Sequence, residues 1–163
     1  MKLAACFLLV LITLPIGGAT AERLGTVSFS NSCSPAVQAP FNRAVALLHD
    51  FWYEEAKVQF QQVSKADAGC AIAHWGAAMS EFHQIWDRPN ESTLARGWAE
   101  MQAAQSPAAK TAREREYIAA LTAFYQPAKQ DYQARIEAYS AAMAKLYGSY
   151  PDDVDAGAFY ALS

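Results

Sequence analysis

A stretch of this chain occurs more than once, and that recurrence limits the possible folds more than any other feature. Phe41-x-x-Ala44-Val45-x-x-Leu48-His49 maps without a gap onto Trp75-x-x-Ala78-Met79-x-x-Phe82-His83, 34 residues further on. The pattern returns as Tyr117-x-x-Ala120-Leu121-x-x-Phe124-Tyr125 after 42, and begins again at Tyr160-x-x-Ser163 after 43 more. An aromatic residue, a small residue three later and apolar groups at the next turn mark one face of an α-helix. The spacing between copies leaves room for one further helix and its turns, and the eight extra residues of the second unit fall in the loop around Trp86 to Ser92. Self-similarity at such a period predicts stacked supersecondary units, none of which buries its apolar face alone.

Helical spacing runs from residue 34 to the end, and strand signals are missing. Ser34 and Pro35 suit an N-cap and first helical position, with Pro40 an alternative start. Tyr53, Ala56, Phe60 and Val63 form a second stripe, and a third runs from Ile72 to Trp86. Leu94, Trp98 and Met101 mark a fourth helix, Ser106-Pro107 opens a fifth, Asp131 a sixth, and a seventh follows Pro151. With 53% apolar residues, the chain has enough material for a real core.

A period of 34 with two helices per unit resembles the tetratricopeptide repeat, most sharply at Tyr53-Glu54-Glu55-Ala56 with Phe60 behind it and the Asp67-Ala68 turn closing the unit. The resemblance places the family's small first-helix residue on Ala44, Ala78 and Ala120, and the second-helix one on Ala56. Gly97, followed by Met101 and Ala104, takes that place in the second unit, and Pro151 resembles the closing proline. Phe41, Trp75 and Tyr117 then pack successive units together. The resemblance implies an all-α fold over residues 35–163, a right-handed α-solenoid of tandem helix-turn-helix units, with about three repeats plus a partial fourth. Because the chain stops inside that fourth unit, the expectation is the N-terminal fragment of a longer exported bacterial protein.

Residues 1–21 carry Lys2, an apolar run from Leu3 to Leu14, and Ala19-Thr20-Ala21 as a small-x-small cleavage site, which is the pattern of a secretory signal peptide. An N-terminal membrane anchor is the competing reading, disfavoured by Pro15 and the two glycines after it. Residues 22–34 are expected to be irregular. Export implies a periplasmic or extracellular protein with no stable membrane span after cleavage. Cleavage removes Lys2 and no acidic residue, so the mature chain is one unit more negative than the whole-chain net charge of −3. With no basic cluster, nucleic-acid binding is set aside. Cys33 and Cys70 remain, and in an oxidising compartment a disulfide is the economical pairing, with two buried thiols as the alternative.

Chemistry has little to stand on. Glu54 and Glu55 are adjacent on a helix, point about 100° apart, and suit its positive N-terminal dipole better than acid–base catalysis. Cys70, His74, Met79 and His83 are ligand types acceptable to soft copper, but their two pairs lie too far apart along one helix for a single ion. Triads, phosphate loops, haem-attachment and zinc-protease motifs are missing, so no catalytic residue, cofactor or metal is expected. The ladder Phe41, Trp75, Tyr117 and Tyr160 is either buried seam or an apolar groove for a peptide. His49, His83 and Tyr125 are expected as an exposed row on a concave wall that binds an unidentified protein or peptide partner. The function expected is a non-catalytic interaction scaffold. The alternative is the repeat module of a longer enzyme or redox protein whose chemistry lies beyond Ser163.

Overall fold

The computed structural model describes residues 23–106, 109–127 and 131–163. Residues 1–21, read above as a signal peptide, lie outside these. Among the described residues seven α-helices follow one another: α1 (Gln38–His49), α2 (Tyr53–Ala66), α3 (Ala71–Met79), α4 (Glu91–Gln105), α5 (Ala112–Tyr125), α6 (Tyr132–Ser149) and α7 (Val154–Ala161). No strand occurs among the described residues. Each helix packs on the next, and the odd-numbered α1, α3 and α5 also touch in turn.

The helix starts follow local chemistry. Ser34 caps a short 3₁₀ turn, Pro35–Val37, that leads into α1, so Pro40 sits in the first turn, where its missing N–H costs nothing. Asn90, Asp131 and Asp153 accept from the backbone N–H of Thr93, Ala134 and Ala156 at 3.0, 2.8 and 3.2 Å. Thr111 and Glu114 close a reciprocal capping box at α5. That box corrects the expected start of the fifth helix at Ser106-Pro107: only Thr111 has a glutamate three residues on to satisfy both free donors.

Close helix approach depends on small residues. Ala44, Ala56, Ala78 and Ala120 are all within 1% of complete burial. A Cβ placed on Gly76 would collide with the Phe60 ring, and one on Gly97 with the Tyr125 ring, so α2 meets α3, and α4 meets α5, where a side chain has been omitted.

Two elements depart from the periodic pattern. α3 stops at Met79 instead of continuing to Trp86. The chain turns through i→i+3 bonds from Glu81 N to Ala78 O and Phe82 N to Met79 O, both 3.0 Å. Glu81 is thereby swung onto Arg96 of α4, which grips it with two bonds of 3.0 and 2.8 Å. Burial alone would raise the Glu81 pKa, but Arg96 and Lys57 outweigh it and hold the carboxyl below its usual range. In α7, Phe159 is the buried aromatic, and Tyr160, expected to continue the ladder, is 38% exposed. The cause is the placement of α7, whose side chains reach back to earlier helices: Phe159 contacts Trp75 of α3 at 5.4 Å between ring centroids, and Asp155 reaches His49 of α1 at 2.9 Å.

Candidate binding groove

Helices α1, α3 and α5 each contribute one large ring to a shared slot. Phe41, Trp75 and Tyr117 are buried to within 1%, as the seam reading requires. The slot is closed by a residue from outside the helices. Phe29, in the extended segment preceding the 3₁₀ turn, lies 5.5, 5.5 and 5.2 Å from those three ring centroids and is itself 1% exposed. Arg113 caps the arrangement, its guanidinium 4.3 Å over Phe29 and 4.7 Å over Tyr117.

Around Phe29 the segment's main chain is held largely by side chains. Its N–H donates to Asn42 Oδ1 of α1 at 3.1 Å, and the Ser30 carbonyl accepts from Arg113 Nη1 at 2.6 Å. Ser32 donates its N–H to Glu114 Oε1 at 2.9 Å and its hydroxyl to Oε2 at 2.8 Å, while Lys110 Nζ reaches the Ser32 carbonyl at 3.4 Å. No backbone–backbone hydrogen bond ties described residues 23–33 to a helix. Cys33 and Cys70 meet at disulfide distance with Cα atoms 4.7 Å apart, fastening the end of the segment to the start of α3.

The charges at this site are fully engaged. Burial works to raise the pKa of Glu114, but donation from Ser32 and Thr111 prevails and lowers it. Asp153, at the start of α7, is likewise lowered against burial by Arg113, 2.6 Å away, and by the backbone of Ala156. Tyr117 donates to that same carboxylate at 3.0 Å, and burial pushes its phenol far up, so it stays a neutral donor.

The expected row of His49, His83 and Tyr125 is not one surface. Tyr125 is 1% exposed and donates its hydroxyl to the Ala78 carbonyl at 2.8 Å, filling the space that Gly97 leaves. Position along equivalent helices could not reveal this, because the space belongs to a neighbouring helix. His49 stacks on Phe159 at 4.9 Å, and His83 stacks on Tyr53 at 4.2 Å and pairs with Asp87 at 2.9 Å. Both remain part-exposed. His74 turns to Glu100 of α4 at 2.7 Å, and Cys70 is engaged with Cys33, so the copper-type quartet is dispersed. Glu54 and Glu55 lie in the first turn of α2.

Two features carried little signal in advance. The segment 22–34 lacks helical spacing, yet Val27-Ser28-Phe29-Ser30 alternates apolar and polar groups as a one-sided extended chain does. Phe51 occupies a left-handed backbone conformation, φ 61°, in the α1–α2 turn, which sets its ring edge-on to exposed Trp86 at 5.7 Å. Comparison of the chain with protein families, curated proteins and solved structures returned no match. No described helix is long and apolar enough to cross a membrane.

Proposed function

We propose that the chain is an exported, non-catalytic scaffold of tetratricopeptide type, a right-handed α-solenoid whose first helices hold an extended segment of another protein. The observation that carries this is the capture of residues 27–33. An extended segment lies across α1, α3 and α5 with one aromatic anchor in a slot, and helix side chains, not helix backbone, hold its main chain at Phe29, Ser30 and Ser32. Tandem hairpins with small residues at equivalent contacts support the repeat assignment, and the Cys33–Cys70 pair is compatible with an oxidising compartment.

The test is selection of a displayed library of extended peptides against the chain carrying Phe29→Ala and Ser32→Ala, which loosen the resident segment. Enrichment of aromatic-bearing peptides, with binding weakened by Asn42→Ala and Arg113→Ala at unchanged helicity, is the expected result. No enrichment over an unrelated immobilised helical protein refutes the scaffold reading.

A further inference from the structure

We infer that residues 27–33 are a built-in, displaceable occupant of the groove, and that the partner is an extended peptide bearing an aromatic residue followed three positions later by a serine or threonine. This deepens the scaffold reading and rests on it. The segment itself supplies the specification. Phe29 fills the three-walled slot, and only an aromatic ring matches the edge and face contacts it makes with Phe41, Trp75 and Tyr117. Three residues on, the hydroxyl of Ser32 meets both oxygens of Glu114, at 3.0 and 2.8 Å. A side chain without a donor there would leave a buried carboxylate short of partners. The intervening carbonyl of Ser30 is read by Arg113 whatever side chain residue 30 carries, and Ser28 and Ser30 are exposed.

The same geometry shows why the occupant can leave. Its hold consists of one buried aromatic and a set of side-chain bonds, with Leu24 and Val27 only part-buried at the edge. Open clefts flank Thr26 and Val27 on both sides, one against α1 and one against α7. The Cys33–Cys70 link keeps a detached segment four residues from its slot, at an effective concentration of about a millimolar. A competing peptide therefore meets a groove that is free only a fraction of the time, and its apparent affinity falls by that fraction.

The experiment uses a labelled synthetic peptide spanning Gly25 to Ser34 with Cys33→Ser, titrated into the full chain as wild type and as Phe29→Ala with Ser32→Ala. The expected result is saturable binding to the variant, at least about tenfold weaker to the wild type. Binding should be lost when the peptide itself carries Phe29→Ala, and reduced by Glu114→Gln in the chain. Equal binding to both forms of the chain overturns the inference. Should library peptides bind the variant while this one does not, the inference fails and the scaffold reading stands; should nothing bind a folded variant, both fail. If the double variant does not fold, amide exchange of the wild type decides. Phe29 and Ser32 amides exchanging about tenfold or more faster than those of Leu47 and Leu121 support a detachable segment, and exchange at one common rate shows it to be core and overturns the inference.

Discussion

Gly97→Ala sets two ordinary expectations against each other. Residue 97 lies mid-way along α4, where replacing glycine by alanine should add about 1 kcal/mol through helix propensity. Against this, the new methyl would fall within the Tyr125 ring. That ring has nowhere to go: it is 1% exposed, packs on Phe124 at 5.0 Å, and is anchored by its hydroxyl to the Ala78 carbonyl at 2.8 Å. Forcing α4 and α5 apart costs about 1–3 kcal/mol as overpacking. Losing the Tyr125 bond leaves buried polar atoms unpaired and adds about 1–2 kcal/mol. The net is a destabilisation of about 1–4 kcal/mol, a fall in Tm of roughly 3 °C per kcal/mol for a chain of this size. Thermal and urea melts followed by circular dichroism measure it, and the pairing with Tyr125→Ala identifies its source. If the clash is the cause, Gly97→Ala should cost about 2–5 kcal/mol less in the Tyr125→Ala background than in the wild type, because the overpacking and the lost bond both disappear with the ring. A Gly97→Ala chain as stable as the wild type, or more so, refutes the argument that the missing Cβ sets the α4–α5 distance.

Tyr125→Ala alone should lower stability by about 3–5 kcal/mol in urea melts, because it empties a core site, whereas His83→Ala, part-exposed and paired with exposed Asp87, should cost under about 1 kcal/mol. Cys33→Ser with Cys70→Ser should cost up to about 4 kcal/mol by loop-closure entropy across the 37-residue separation, read as a shift of the urea midpoint; non-reduced peptide mapping of the wild type should find the linked pair. Glu114 has a folded pKa below its ordinary value of 4.5, so its contribution is complete above that value and is lost as pH falls through the lower, folded one. The stability gap between wild type and Glu114→Gln should therefore be widest near neutrality and shrink in acid; a gap that grows as pH falls contradicts the assigned hydrogen bonds.

Local rules reached much of this fold. Asp131 is legible as a cap and Ala44, Ala56, Ala78 and Ala120 as close-contact sites, because capping and small-residue spacing act within a helix or between copies of one. The rest depended on partners far away in sequence. Helical period carries α3 through Phe82 to Trp86, but Phe82 is drawn against the tilted ring of Phe124, 3.9 Å away between centroids, and Trp86 is left 64% exposed. Tyr125 looked like the end of an exposed row until Gly97 of another helix made space for it. Phe29 sat in a stretch too short and irregular to suggest burial, and the groups that bury it belong to three different helices.

The separation between Phe29 and its holders also sets an order of events during synthesis. Asn42 lies 13 residues downstream, but Glu114 lies 82 beyond Ser32 and Arg113 lies 83 beyond Ser30. At about 5–20 residues per second, a ribosome needs roughly 4–18 s to make Tyr117, the last wall of the slot, after the Phe29 ring that will fill it. Cys70 emerges well before that. Where synthesis is coupled to passage into an oxidising compartment, the tether can close while the slot still has only Phe41 and Trp75 as walls, so a half-made chain carries its anchor fastened at one end with the aromatic face bare. Such a nascent species would be a natural client for a chaperone that recognises exposed rings. Stalling translation just before Tyr117 would hold the chain in that state.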